Sequence, residues 1–207
     1  DTFVFYDDVN FIKRGWINRN KILINGKEVL LSFPCVKPSQ NKLIKDVEIN
    51  FGSKEYLKIF ETIKQSYKNA PYYIQVTNLL ELIFKKEYEN ISELASTSVI
   101  MISEYLNLNT EFLYSSISFK ETKGQDRADR LINITKSQGR HHYVNALGGQ
   151  EIYSQSHFLK KGIKLNFLRP TIQPYKQFDN EFISNLSIID VLMFNSTEKV
   201  KYMLNEF

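Results

Sequence analysis

Asn25-Gly26 lies between two runs that read as strands, Trp16 to Ile24 and Lys27 to Cys35. A two-residue type I′ turn needs positive φ at both central positions, which Asn-Gly adopts at least steric cost. The chain is therefore committed near its start to an antiparallel hairpin. Thr2 to Tyr6, short, aromatic and β-branched, reads as a strand buried on both faces. Val47 to Asn50 is a further strand candidate.

Helical spacing then takes over. Ser53 is placed to cap a helix over 54–68, with Tyr56, Phe60, Ile63 and Tyr67 along one stripe. Pro71 interrupts it, and 72–88 and 92–106 read as two more helices. From residue 112 strands and helices alternate: strand 112–115, helix 126–138 stopped by Gly139, strand 141–145, helix 151–161 closed by Gly162, strand 163–168. Helices over 186–195 and 197–206 close the chain. The pattern predicts one α/β domain over residues 1–207. It is expected to hold a mainly parallel, three-layer-type sheet, with the early hairpin as an antiparallel appendage and a helical insertion over about 53–106.

The 207 residues are 43% hydrophobic and 14% aromatic, ample for a packed core, so wholesale disorder is excluded. Cys35 has no second cysteine to pair with and sits in an apolar run, which reads as a buried structural thiol in a reducing, cytoplasmic setting. Basic residues number 27 against 23 acidic, a net charge of +4. Such a mild excess suits an anionic small molecule rather than nucleic acid. No apolar stretch approaches the roughly 20 residues of a membrane span, so no membrane insertion is expected. A homo-oligomer remains open. The sequence enters a strand at once without an initial Met, and an earlier segment is expected.

Four groups of residues are candidates for chemistry. Asp7 and Asp8 end the first strand, where ligands gather in α/β sheets; they are candidates to bind a divalent cation or to serve as general base. Lys13, Arg14, Trp16, Asn18, Arg19 and Asn20 follow. On a strand Asn18 and Asn20 share one face and Arg19 takes the other. The bland alternative is a solvated Asp7-Asp8 turn with Arg19 paired to a carboxylate. In the second group, Arg127 and Arg130 are three apart on a helix, where they could meet phosphate oxygens, and Lys136 extends the basic surface. The alternative there is a solvated face with local Asp-Arg pairs. His141 and His142 are adjacent on a strand and point to opposite faces, so one metal cannot easily take both; either is a candidate general acid or base. In the third group, Tyr143 leads through Gly148-Gly149 into a helix, either an anion-binding turn or a βα turn that needs positive φ. In the fourth, Tyr175 and Gln177 precede a helix capped by Ser184 or Asn185. Asp190 sits there among Ile189 and Val191 and needs a partner: it is a candidate to bind substrate, and the alternative is a buried structural pair with an arginine, Arg19 or Arg130.

Taken together, Phe3-Val-Phe-Tyr-Asp-Asp-Val9, Lys13-Arg-Gly-Trp-Ile-Asn-Arg-Asn20, Tyr143-Val-Asn-Ala-Leu-Gly-Gly149 and Leu186-Ser-Ile-Ile-Asp190 resemble the WbqC-like family along nearly the whole chain. The resemblance implies a bacterial, cytoplasmic protein of O-antigen or other surface-polysaccharide synthesis, acting on an activated sugar or its acyl donor. It brings no established catalytic assignment, so Asp7, Asp8, Arg14, Trp16, Asn18, Arg19 and Asn20 carry over as candidates. The family pattern begins earlier, with a strand, a Gln-Pro motif and an aromatic Pro…Gly-Tyr-Phe segment not found here. Through that segment the arrangement is also similar to nucleotidyltransferases of the HIGH-motif class, where Asp7 and Asp8 would hold magnesium against a triphosphate.

Overall fold

The computed structural model describes residues 1–179 and 181–206. The elements run β1 (Thr2–Phe5), β2 (Arg19–Ile24), β3 (Lys27–Ser32), α1 (Lys54–Tyr67), α2 (Tyr73–Lys85) and α3 (Ile91–Tyr105). They continue with β4 (Glu111–Tyr114), α4 (Ser115–Ser118), α5 (Arg127–Ser137), β5 (His142–Ala146) and α6 (Gln155–Lys160). The last are β6 (Lys164–Leu168), α7 (Ile188–Phe194) and α8 (Thr197–Met203). Two compact units result. The first takes Asp1–Leu113 and Ile172–Leu204; the second takes Tyr114–Thr171 and the last residues from Asn205.

In the first unit, β2 and β3 pair antiparallel from Arg19↔Ser32 to Ile24↔Lys27. Asn25 and Gly26 supply the two positive φ values, 49° and 72°. Ile22 and Leu23, successive and so on opposite faces, are both buried, so β2 is covered on both sides. The Val47 to Asn50 segment pairs as expected, through an antiparallel bridge of Cys35 with Ile49 and a Val36 N–H bond to the Glu48 carbonyl (2.8 Å). β1 departs from its expected double burial: Phe3 is 48% exposed, and its ring meets those of Phe5 and Phe112 at centroid distances of 5.1 and 6.1 Å.

The three helices predicted between residues 54 and 106 are α1, α2 and α3. Ser53 Oγ accepts from Tyr56 N (3.2 Å), so the polar start of α1 is satisfied where the apolar stripe begins. Its buried residues are Tyr56, Ile59, Ile63 and Tyr67. Each such burial contributes about 1.5–3 kcal/mol. Phe60, assigned to that stripe by spacing, lies at its margin and stacks on Phe84 (4.9 Å). α7 is capped by Ser187, whose Oγ accepts from Ile189 N, rather than by Ser184 or Asn185.

In the second unit, β5 and β6 run parallel from His142↔Lys164 to Ala146↔Leu168. Phe158 on α6 is fully buried and forms the hub: Tyr143 stacks on it, and Tyr153 and His157 meet it edge-on.

The α/β class and the antiparallel hairpin are as the sequence predicts. Among the described residues the strands form three two-stranded sheets, β1–β4, β2–β3 and β5–β6, and the expected parallel sheet is present as the single pair β5–β6. Alternation of strand and helix specifies a crossover, but it does not specify how many strands share one sheet.

Candidate functional site

Asp7 and Asp8 follow β1 on a segment laid along residues 42–45. The Asp7 and Val9 carbonyls accept from Lys45 N (3.0 Å) and Ile44 N (2.9 Å), and Phe11 N donates to the Lys42 carbonyl (2.9 Å). That ladder draws both carboxylates inward, each 6% exposed, so they are not a solvated turn. Burying two adjacent carboxylates is unfavourable unless each is paired, and both are engaged within the protein.

The next residues make a tight turn. Gly15 N donates to the Ile12 carbonyl (3.1 Å), and a Cβ at Gly15 would lie 3.0 Å from that oxygen, so only glycine fits without a shift. Arg14 stands at φ 60°, a conformation that costs a non-glycine residue roughly 1–2 kcal/mol. β2 begins only at Arg19, three residues after the expected start at Trp16, so Asn18 lies outside the strand and its alternation. Asn18 Nδ2 donates to the Phe33 carbonyl (3.0 Å) and ties the turn to the hairpin, whereas Asn20 is exposed and bonds its neighbour's amide.

The turn leaves Trp16 64% exposed. The Arg19 guanidinium carbon lies 5.9 Å from the indole centroid and the Lys21 ammonium 6.0 Å from it. Arg19 Nε donates to the Gly15 carbonyl (2.9 Å), which fixes the guanidinium. Arg19 pairs with no carboxylate, contrary to the bland expectation, and its two terminal nitrogens make no hydrogen bond among the described residues. Lys21 is held by both Glu28 oxygens (3.0 and 2.9 Å). An aromatic face beside an anchored, uncommitted guanidinium is suited to a ring bearing a phosphate or carboxylate.

Asp190 is fully buried, and its partners correct the expected arginine pair. Tyr67 Oη donates to Oδ2 (2.8 Å), and Tyr175 Oη and Gln177 Nε2 donate to Oδ1 (2.7 Å each). Tyr67 also accepts from Leu23 N (2.8 Å), and Gln177 bonds both Ile183 N and O, so the network closes on itself. Burial pushes both tyrosine hydroxyls well above their usual range, and the facing Asp190 adds to it. No cation joins the cluster among the described residues. Asp190 is thus a structural clasp joining α7 to β2, α1 and the segment around 177.

Cys35, expected to be buried, is half-buried. Burial raises its thiol from the ordinary 9.0 to about 11, against a smaller opposing effect of Asn18.

In the second unit, Arg130 is 5% exposed and donates through Nε to Thr122 Oγ1 (3.0 Å). Lys136 is exposed. Six residues turn a helix through about 600°, leaving the two about 120° apart, so Lys136 does not extend Arg130's surface. Arg127 is exposed as well and does not share Arg130's burial. His141 and His142 are both exposed; His142 Nε2 donates to Asn166 Oδ1 (3.1 Å). Tyr143 faces inward onto Phe158. Gly148 and Gly149 form a 3-10 turn without positive φ. A Cβ at Gly149 would lie 2.6 Å from Asn145 Nδ2, so a larger residue would ask the Asn145 side chain to shift; the position is one of close packing, not of a left-handed turn.

Sequence reading passed over Lys21, Tyr67, and the pair of His157 with Asp129. The Asn25-Gly26 register could have placed Lys21 on the Arg19 face, two residues on. Nothing local signals a contact across 28 or 123 positions.

The profile of the WbqC-like protein family matches residues 1–202, a span that holds every candidate above. The chain belongs to the WbqC-like family. It is 25% identical over 206 residues to the uncharacterized protein Rv1507c of Mycobacterium tuberculosis, an alignment covering 98% of this chain and 87% of that protein. No solved structure matches. Among the described residues of this WbqC-like chain, no helix is long and apolar enough to cross a membrane, and no three His, Cys, Asp or Glu side chains converge on a metal position.

Proposed function

We propose that this chain is a cytoplasmic enzyme of bacterial surface-polysaccharide (O-antigen) precursor synthesis that transfers an acyl or aminoacyl group to a nucleotide-linked amino sugar. The observation that carries the reading is the Trp16–Arg19 pair: an exposed indole beside a guanidinium anchored through Nε, with both terminal nitrogens uncommitted. The indole stacks on the base or the sugar, and the guanidinium fork takes phosphate oxygens. Asp7 or Asp8 accepts the proton of the sugar amine as its nitrogen attacks the acyl carbon, and the donor's leaving group departs with the electron pair of the broken bond. His141 and His142 belong to the second unit, and this reading rests on residues of the first alone. Family membership supports the choice of pathway.

A second reading, nucleotidyl transfer, is favoured by the adjacency of Asp7 and Asp8. Magnesium is commonly held by one or two carboxylates together with substrate phosphates, so these two suffice only once a triphosphate is bound. A scaffold role in a glycan-assembly complex is a third reading. It draws on the outward Ile74 and Leu82 of α2, but exposed Gln75, Asn78 and Lys85 interrupt that face.

Thermal unfolding against a UDP-amino sugar, a nucleoside triphosphate and an acyl-coenzyme A, each with and without magnesium, separates the three. At a hundred times its dissociation constant a ligand adds about 2.7 kcal/mol. A shift with the UDP-amino sugar that is lost in Arg19→Ala supports the transferase. A magnesium-dependent shift with the triphosphate alone replaces it with nucleotidyl transfer, and no shift across the panel rejects both enzymes.

A further inference from the structure

The hairpin that carries Arg19 also carries a second cation, which the proposed reaction does not use. Residues 19, 21 and 23 share one face of β2, and their partners across the ladder, Ser32, Leu30 and Glu28, share it with them. Leu23 is buried whereas Leu30 is 45% exposed, so this face is open toward its Arg19 end. The Trp16 indole lies there, its centroid 5.9 Å from the Arg19 guanidinium carbon and 6.0 Å from the Lys21 ammonium. One exposed ring thus gathers two cations whose Cα atoms stand about 6.8 Å apart along the strand.

The two cations are committed differently. Arg19 is anchored through Nε to the Gly15 carbonyl and keeps its fork for a ligand. Lys21 is held back: both Glu28 oxygens accept from its Nζ, at 3.0 and 2.9 Å. Glu28 sits opposite Leu23, one step further from Arg19, so it draws the ammonium away from the Arg19 end of the face. Both side chains of the pair reach solvent. An exposed pair of this kind contributes little stability, so a phosphate can take the place of the carboxylate, and the hairpin ladder is untouched by the exchange.

We propose that Lys21 is the second phosphate ligand of this site and that Glu28 governs its release, so that the site selects a nucleoside diphosphate over a monophosphate. The inference rests on the Trp16–Arg19 reading above. Arg19 takes one phosphate bidentately. The second phosphate, joined to the first through a single oxygen, brings a further negative charge within reach of Lys21 and draws the ammonium from Glu28. A monophosphate is met by the Arg19 fork and leaves the Lys21–Glu28 pair closed. Lys21 touches the substrate; Glu28 is a positioning residue that acts through it.

A salt bridge that only staples the two strands would show the same distances, so the test reads a ratio of affinities. The full chain is titrated with UMP and with UDP in a calorimeter. UDP is expected to bind about tenfold more tightly, as one further charge-assisted contact gives. Lys21→Met should bring UDP down to the level of UMP and leave UMP nearly unchanged, and Glu28→Gln, which frees Lys21, should tighten UDP several-fold. Lys27→Met removes an equal charge at the turn, on the other face of the hairpin, and should leave the ratio unaltered. Equal affinities for UMP and UDP, or a preference for UDP that survives Lys21→Met or is lost equally in Lys27→Met, overturns the inference. The comparison of UMP with UDP is made on the unaltered chain and so needs no variant to fold. If the UDP-amino sugar binds and loses that binding in Arg19→Ala while UMP and UDP bind equally, only the inference falls. If UMP, UDP and the UDP-amino sugar all fail to bind, the Trp16–Arg19 reading falls with it.

Discussion

The Asp190 clasp and the Trp16 turn are built from the same chemistry, aromatic rings beside charged groups, yet they are satisfied in opposite ways. At Asp190 three neutral donors meet one buried carboxylate, and each donor is itself tied down by Leu23, Ile183 or the ring packing of Phe182 on Tyr175. At Trp16 the cations are anchored through a single nitrogen or a neighbouring glutamate, and the indole faces water. A closed network stabilises and has nothing left to offer a ligand; an open one contributes little to stability and keeps its donors for binding.

The sharpest way to break this contrast is Asp190→Ala, which strands three donors, two of them on buried residues, and is expected to cost roughly 3–5 kcal/mol in urea unfolding followed by circular dichroism. A loss below about 1 kcal/mol would mean that the network is not closed. Next come the two tyrosines. Tyr67→Phe removes both a donor to Asp190 and the acceptor of Leu23 N, and should cost about 2–3 kcal/mol; Tyr175→Phe removes a single donor and should cost about 1 kcal/mol. Equal effects would show that the Leu23 bond contributes nothing.

Alkaline stability sharpens the same point. The folded-state values of Tyr67, Tyr175 and Cys35 are all raised, so each contributes stability that is fully present below its unfolded value and is lost as pH rises toward its folded one. For Cys35 that window runs from 9.0 to about 11. The unfolding free energy should therefore hold level up to about pH 9 and decline above it, and the double variant Tyr67→Phe, Tyr175→Phe should flatten the decline.

The smallest stability effect is expected at the open site. Trp16→Ala should change unfolding by no more than about 0.5 kcal/mol, as for surface residues generally, while removing the shift with the UDP-amino sugar. A large loss of stability there would make Trp16 a packing residue.

The legible parts of this protein were local. Asn25-Gly26 placed the hairpin with its turn, Ser53 placed the start of α1, and Asp126 and Gly139 bracketed α5 to within a residue. The need of Asp190 for a partner was legible from its apolar neighbours, and Tyr175 and Gln177 had already been singled out beside it. The nature of the pairing was not, because neutral donors satisfy a buried carboxylate as well as a cation does, and Tyr67 is 123 positions away. Arg130 and Lys136 were expected on one surface; helical phase and burial separate them.

The sequence by itself determined the α/β class, the hairpin, most helix limits, and a family resemblance carried by short blocks, because these rest on propensity, capping and turn chemistry within a few residues. Only the tertiary structure decided that the strands form separate pairs, that Gly149 serves close packing, and that His157 meets Asp129. It also decided that Asp190 closes inward while Arg19 keeps its guanidinium fork open. Each of these depends on which distant groups share a volume, and local pattern does not encode that.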